Sequence, residues 1–286
     1  MYPILFRFPE WVPVLGGEPV TSFGVMLFLA FLAAGYLLRA RMSETGIHPD
    51  RAWDLVFAAV IGGIIGAKLY YVFLNFPRLV ENPRFLFARG GLVWYGGFLG
   101  GTAAVLYQMK RLGLPVRQTL DLTAPSMAMA YAVGRLGCFL VGDDYGRPTA
   151  SWVGIRFPQG SPPSSVDNLA RFGIETDPAL VEAYGQIVPV HPTQLYEIAM
   201  ALAIFAIVWR LRHGAHPPGW VFALWLALAS AARFLVEFVR AKDDRFLGSL
   251  TIAQVISLLL IAAAAAAMVR LASRNGGPRP KKARAP

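Results

Sequence analysis

The sequence predicts an all-α integral membrane protein with about seven transmembrane helices. Of its 286 residues, 56% are hydrophobic and only 15% are charged, whereas a soluble domain has about 25% charged residues. The apolar residues also lie in long runs, and about 20 consecutive apolar residues are enough for a helix to cross a bilayer. Both observations favour one membrane bundle over a pair of soluble domains.

Seven runs are candidates for the spans. In chain order they cover residues 21–38, 53–74, 92–107, 120–141, 192–209, 220–239 and 250–269. The third run is short. We expect a single transmembrane bundle over residues 1–272, followed by a disordered basic tail at 273–286.

The distribution of Lys and Arg predicts the orientation, because cytoplasmic loops are enriched in them. An external N-terminus places most basic residues in short inside loops and in the C-terminal tail. It also places the acidic segment 141–191 outside, between the fourth and fifth spans. We therefore expect a periplasmic N-terminus, a cytoplasmic C-terminus and a small periplasmic head at 141–191. Its prolines and the alternating residues 152–157 predict loops with one or two short strands.

Charge and composition exclude several kinds of partner, cofactor and function. The net charge of +10 would suggest nucleic-acid binding in a soluble protein, but the location of the basic residues in loops and tail of a membrane protein argues against a nucleic-acid partner. The four histidines lack zinc-ligand spacing, so we expect neither a metal nor another cofactor. With one cysteine, Cys138, no internal disulfide can form. The absence of an obvious internal repeat disfavours a transporter or channel.

Two arginines inside the spans indicate a site. An Arg at the centre of a membrane helix costs about 2.5–3.5 kcal/mol on insertion scales and is functional by default. Arg233 shares a helix face with Glu237, four residues later, which allows either a structural ion pair or a phosphate grip on a lipid headgroup. Arg135 has no acidic residue three or four positions away, so we expect Glu237 or a lipid phosphate to be its anion.

Further polar groups gather where the fifth span begins. His191, Gln194, Tyr196 and Glu197 exceed what a helix start requires, and His191 could accept a proton because its intrinsic pKa is about 6.5. Since the fourth and fifth spans flank the head, these groups predict a site at the outer leaflet.

Glycine pairs mark two other spans. Gly62-Gly63 with Gly66, and Gly96-Gly97 with Gly100-Gly101, allow close helix approach. Packing alone is the favoured interpretation of this pattern. Gly96 and Gly97 also follow Trp94-Tyr95 at the outer end of a span, where bare backbone could admit a headgroup.

Four segments in this order resemble one family. Residues 134–147, GRLGCFLVGDDYGR, resemble the signature G-R-x-G-N-F-x-N-G-E-x-x-G of prolipoprotein diacylglyceryl transferases. Residues 191–197, HPTQLYE, resemble H-P-S/T-Q-L-Y-E, and residues 233–240, RFLVEFVR, resemble R-x-x-V-E-F-x-R. Residues 91–97, GLVWYGG, occupy the place of a glycine-rich segment. The matches extend over nearly the whole chain.

The resemblance implies an enzyme of the bacterial inner membrane whose site faces the periplasm. Such an enzyme moves the diacylglyceryl group of phosphatidylglycerol to the lipobox cysteine of a prolipoprotein signal peptide, and glycerol 1-phosphate leaves. Arginines would stabilise the charge that grows on the departing phosphate. A base would form the thiolate, because the thiol itself is a poor nucleophile.

The resemblance also assigns roles to residues. Arg135 would bind the phosphate, Arg233 would be a second clamp or a gate, and Glu197 and Glu237 would orient the arginines. Gly146 would shape the headgroup pocket. The remaining implied site residues are Tyr95 and His191 as catalytic groups, and Gly96, Gly97, Asp143 and Arg240 as substrate-binding groups.

This chain departs from the family pattern within the site. Tyr95 stands where many members have His, Phe23 where many have Tyr, and Cys138, Val141 and Asp143 replace Asn, Asn and Glu. His191 or a carboxylate could therefore be the base, and Tyr95 could instead bind the headgroup. The alternative function is that of a divergent paralogue that binds a lipid or transfers it to another acceptor.

Overall fold

The protein is predominantly helical in the computed structural model, which describes residues 1–13, 16–83, 91–241 and 245–275. The helices are α1 (Ser22–Glu44), α2 (Arg51–Leu74), α3 (Phe76–Glu81), α4 (Trp94–Arg111), α5 (Val116–Val141), α6 (Val166–Arg171), α7 (Pro178–Tyr184), α8 (Thr193–Leu211), α9 (Trp220–Val236) and α10 (Ile252–Asn275). A 3-10 turn, Glu237–Val239, extends α9. Strand β1 (Ile4–Arg7) pairs antiparallel with β2 (Pro19–Thr21), and β3 (Arg245–Leu247) pairs likewise with β4 (Leu250–Thr251).

The membrane prediction is confirmed at six of the seven runs. Among the described residues, six helices are long and apolar enough to cross a bilayer: α1, α2, α5, α8, α9 with its 3-10 extension, and α10. The chain is thus a multi-pass membrane protein. The third predicted span coincides with α4, which contains four glycines and ends at Lys110 and Arg111. That α4 also crosses the membrane stays a prediction.

The described residues divide into two compact units. Unit 1 contains Met1–Ala33 and the chain from Ala124 onward, and unit 2 contains Ala34–Thr123. The prediction of one bundle over residues 1–272 therefore stays a prediction. Helix α10 continues to Asn275 and so includes the first residues of the predicted tail, while residues 276–286 lie outside the described part of the chain.

Unit 2 depends on close packing of α2 against α4. A Cβ on Gly62 would overlap the side chain of Ala104 and lie 2.7 Å from the carbonyl oxygen of Gly100. A Cβ on Gly100 would lie 2.8 Å from the Cα of Gly66. Backbone therefore meets backbone, as expected for small residues in membrane helices, and the packing interpretation of these glycines is supported.

Unit 1 contains the head, which lies between α5 and α8 in sequence. A buried cluster holds it together, consisting of Tyr145, Phe157, Leu169, Ile174, Leu180, Val188 and Val190. The head is loop-rich, as predicted, and it contains α6 and α7. In place of the predicted short strands it has isolated bridges such as Ile155–Val190. Proline offers no N–H for a longer ladder, and Pro148, Pro158 and Pro189 interrupt these segments.

Candidate active site

Arg135 lies near the end of α5 and contacts groups from two other segments. Its Nε is 3.1 Å from Oε2 of Glu197 on α8, and its Nη1 is 2.9 Å from Oδ2 of Asp144. Tyr131, one turn earlier on the same face, accepts a hydrogen bond from Nε at 3.1 Å and donates one to Glu197 Oε1 at 2.7 Å. The anion expected for Arg135 is therefore Glu197 together with Asp144, and not Glu237.

A second group of charges surrounds Glu237. Arg233, one turn earlier on α9, forms an ion pair with Glu237 Oε2, which agrees with the structural interpretation of this i,i+4 spacing. Arg240 Nε lies 3.8 Å from the same oxygen. Thr251, the last residue of β4, donates to Glu237 Oε1 at 3.1 Å. The carboxylate is buried and holds two guanidinium groups in place.

Asp144 joins the two groups. Its Oδ2 is 2.9 Å from Arg135 Nη1, and its Oδ1 is 3.1 Å from Arg240 Nη2. The side chain of Asp144 is 43% exposed. Partial desolvation acts to raise its pKa, but the charges of Arg240 and then Arg135 outweigh this effect and hold the pKa of this carboxyl below its usual range. A carboxylate thus lies between two arginines that are distant in sequence.

The sequence did not indicate Asp144, because the family signature aligned Asp143 with its glutamate. The consecutive acids after Gly142 could have directed attention to both. Asp143 is placed differently: its backbone carbonyl accepts a hydrogen bond from Gln194 Nε2, and one oxygen of its carboxyl is buried without a hydrogen-bond partner. Burial, and after it the charge of Asp144, raise the pKa of Asp143 above its usual value.

Cys138 lies beside these acids. Its sulfur is 3.8 Å from Arg135 Nη1, and the ligand atoms of Cys138, Asp143 and Asp144 all lie within 4.8 Å of one another. Such donors could bind a cation, but two guanidinium groups already neutralise Asp144 and would repel one.

His191 lies just before α8, at the C-terminal end of the head. Its Nδ1 is 3.1 Å from the hydroxyl of Tyr196, and burial lowers its pKa below the ordinary 6.5. The imidazole is therefore neutral at pH 7 and able to accept a proton. His191 is held by its backbone, which exchanges hydrogen bonds with Gly146 and Arg147.

Gly146 is required where three segments meet. A Cβ there would overlap the carbonyl oxygen of Val239 and lie 2.8 Å from the Cβ of His191 and 2.9 Å from Cγ2 of Thr193. The missing side chain lets the start of the head approach the end of α9 and the start of α8. A cleft of about 390 Å³ opens beside this junction, and its lining includes Asp143, Asp144 and Arg240.

Tyr95, Gly96 and Gly97 belong to unit 2. The Tyr95 side chain is exposed, and its ring lies edge-on to Trp94 at 5.3 Å between centroids. A Cβ on Gly96 would overlap the carbonyl oxygen of Gly66, and one on Gly97 would lie 3.3 Å from that of Gly63. Packing accounts for both glycines, and their predicted headgroup role stays a prediction.

The remaining departures from the family pattern lie at the end of α5. The site of a Cβ on Gly137 is 3.4 Å from the Cα of Phe23 and 2.9 Å from the Cβ of Met26, so the start of α1 packs closely there. Val141 is the last residue of α5. Both Phe23 and Val141 thus lie at the helix ends that adjoin the head.

Comparison with known proteins agrees with these features. The family model described as prolipoprotein diacylglyceryl transferase matches residues 10–270. A phosphatidylglycerol–prolipoprotein diacylglyceryl transferase of Clostridium tetani is 33% identical, covering 91% of this chain and 94% of that protein. Proteins with the same name from Burkholderia thailandensis and Burkholderia mallei are 35% identical, covering 94% of this chain and 97% of theirs. The protein therefore belongs to the prolipoprotein diacylglyceryl transferase family.

Proposed function

We propose that this protein transfers the diacylglyceryl group of phosphatidylglycerol to the lipobox cysteine of a prolipoprotein signal peptide and releases glycerol 1-phosphate. The observation that carries the proposal is the convergence of Arg135 and Arg240 on one carboxylate at the head side of the helices. Two guanidinium groups that hold a carboxylate are also arranged to hold a phosphate diester.

The chemistry needs such a pair. The substrate thiolate attacks the glyceryl carbon that bears the phosphate, a carbon–sulfur bond forms, and the carbon–oxygen bond breaks. The electron pair of that bond moves to the phosphate oxygen, where negative charge grows. Guanidinium groups in a partly desolvated site stabilise this charge more than water does. Glu197 and Glu237 hold Arg135 and Arg240 in position for that purpose.

A base must take the thiol proton. His191 suits this role, because burial lowers its pKa and so favours the neutral form. The Tyr196 hydroxyl fixes its ring through Nδ1, which leaves Nε2 for the substrate. Tyr95 is the competing base by its place in the motif, and a carboxylate is the third possibility.

The site would face the outer leaflet of the bacterial inner membrane. The distribution of Lys and Arg supports a periplasmic N-terminus and head with a cytoplasmic C-terminus. Phosphatidylglycerol would reach the site from the surrounding lipid, and the signal peptide would present its cysteine at the same leaflet. This location matches the polar groups that collect around the head.

The experiment that tests the proposal measures transfer from labelled phosphatidylglycerol to a lipobox peptide by the full-length protein. We expect transfer by the wild type and a loss of about 10²–10³-fold in Arg135→Ala, the scale of removing one oxyanion donor. Arg171→Ala is the matched control, because Arg171 is exposed at the end of α6 and should leave transfer unchanged.

Two outcomes would contradict the proposal. Equal loss in Arg135→Ala and Arg171→Ala would show that general charge, and not the Arg135 position, matters. No transfer by a well-folded wild type would favour the divergent paralogue, with Tyr95 and Cys138 as the first substitutions to revert to His and Asn.

A further inference from the structure

Asp144 has an unusual backbone. Its φ of 54° makes it the one residue other than glycine with positive φ in the described part of the chain. Asp tolerates this left-handed conformation better than most residues do. The backbone is also anchored, because Thr193 donates its hydroxyl proton to the carbonyl oxygen of Asp144 at 2.6 Å. The position of the Asp144 backbone, and hence of its Cα–Cβ bond, is therefore fixed by the fold.

The three carboxylates of the arginine network differ in burial. The side chains of Glu197 and Glu237 are 3% and 1% exposed, whereas that of Asp144 is 43% exposed. Each of the two arginines that Asp144 contacts also has one of the buried glutamates as a partner. Removing Asp144 from the pair would therefore leave neither arginine without a carboxylate.

The charges of the network balance. Arg135, Arg233 and Arg240 carry three positive charges, and Glu197, Glu237 and Asp144 carry three negative ones. An incoming phosphate diester brings a single negative charge and two oxygens that can accept from both arginines. Exchange of the Asp144 carboxylate for that phosphate keeps the network neutral, and the side chain that leaves already faces solvent and the cleft.

We propose that Asp144 is an internal competing anion, which occupies the Arg135–Arg240 pair in the lipid-free enzyme and is displaced by the phosphate of the lipid headgroup. This inference rests on the proposed function, because it takes Arg135 and Arg240 as the phosphate site. It makes Asp144 a residue that sets the affinity for the phosphate and excludes lipids without one, since only an anion can replace the carboxylate at no electrostatic cost.

The test measures phosphatidylglycerol affinity without relying on turnover. Equilibrium binding of labelled phosphatidylglycerol to the full-length protein in detergent micelles is compared for wild type, Asp144→Asn and Asp144→Gly. Asn and Gly both tolerate a positive φ, so both variants should fold. We expect binding to tighten about two- to tenfold in each, the scale of releasing two partly exposed ion pairs.

Transfer kinetics provide a second readout. KM for phosphatidylglycerol should fall by a similar factor, and inhibition by glycerol 1-phosphate should strengthen in parallel, whereas kcat should not rise. Asp167→Asn is the matched control, because Asp167 is an exposed head residue outside the arginine network. It removes the same charge and should change none of these quantities.

The outcomes separate this inference from the proposed function. Unchanged or weaker binding in both Asp144 variants would overturn the inference, because it would show that Asp144 positions the arginines. If both Asp144 variants bind phosphatidylglycerol more tightly but no form of the protein catalyses transfer, Asp144 is a competing anion and the proposed transferase function is wrong. Absence of phosphatidylglycerol binding in every form would overturn both.

Discussion

At the scale of single residues, the site depends on buried carboxylates that neutralise its arginines. Glu197 accepts from Tyr131 at 2.7 Å and pairs with Arg135 at 3.1 Å in a buried position. A buried guanidinium that loses its partner pays an uncompensated desolvation cost. Glu197 is therefore needed for stability as well as for orientation.

Glu197→Gln tests this need. The amide can still accept from Tyr131 but carries no charge, so we expect the free energy of unfolding to fall by about 1.5–3 kcal/mol, the range for hydrogen bonds to charged groups. Thermal unfolding in detergent, followed by circular dichroism, measures the effect. Glu175→Gln in the exposed part of the head is the control. Equal unfolding temperatures for the two variants would show that the charge of Glu197 is dispensable.

The pH dependence of transfer tests the base. Burial lowers the pKa of His191 below 6.5. The neutral imidazole therefore predominates at pH 7, and it becomes protonated only as the pH falls through this lowered pKa. If His191 is the base, kcat/KM should decrease on the acidic side and be level through neutral pH. His191→Gln should abolish most of the activity. A profile that instead keeps rising well above neutral pH would show that a base other than His191 forms the thiolate.

At the scale of elements, the pairing of α2 and α4 requires glycine on only some faces. The position of a Cβ on Gly62 is filled by Ala104 and Gly100, whereas a Cβ on Gly63 would meet only the carbonyl oxygen of Gly97 at 3.7 Å. Neighbouring glycines of one helix thus have opposite tolerances.

Gly62→Ala and Gly63→Ala form a matched pair. We expect Gly62→Ala to lower the free energy of unfolding by about 1–3 kcal/mol, because an overpacked contact forces the helices apart. Gly63→Ala should be neutral or stabilising, because Ala is the better helix former by about 1 kcal/mol. Thermal unfolding of both variants and of the wild type in detergent measures these differences in stability. Destabilisation of the same size in both would contradict the packing of α2 on α4.

At the scale of the whole molecule, membrane topology determines which leaflet the head faces and whether α4 crosses the bilayer. With α4 as a span, four crossings separate the N-terminal segment from the head, so both lie on one side. Without it, three crossings place them on opposite sides. One labelling experiment therefore tests orientation and span number together.

The experiment introduces single cysteines at three exposed positions, Glu10, Asp167 and Ala215, and treats intact spheroplasts with a membrane-impermeant maleimide. We expect Glu10→Cys and Asp167→Cys to react, and Ala215→Cys to react only after permeabilisation. The wild type is the control, because its one cysteine, Cys138, is buried. Reaction at only one of Glu10→Cys and Asp167→Cys would exclude a membrane-crossing α4.

The sequence by itself determined the helical membrane class, the positions of the long helices and the family. Hydropathy and i,i+4 spacing are local properties, so they also placed Arg233 and Glu237 on one helix face, where an ion pair can form. The four motifs named the arginines, the histidine and the buried glutamates that the structure places around the head. Local patterns sufficed for these because each depends on residues within a few turns of one another.

Only the tertiary structure decided which charges meet. Arg240 and Asp144 are 96 residues apart, and Tyr131 and Glu197 are 66 apart, so their contacts depend on how separate helices pack and on the left-handed backbone at Asp144. The family motif had indicated Asp143 as the acidic residue of the site. The motif could not show which of the two adjacent aspartates contacts the arginines, because that depends on the backbone φ of Asp144. The head likewise has single bridges and not the expected strands. Pairing between segments distant in sequence depends on the folded chain and could not be predicted from local patterns.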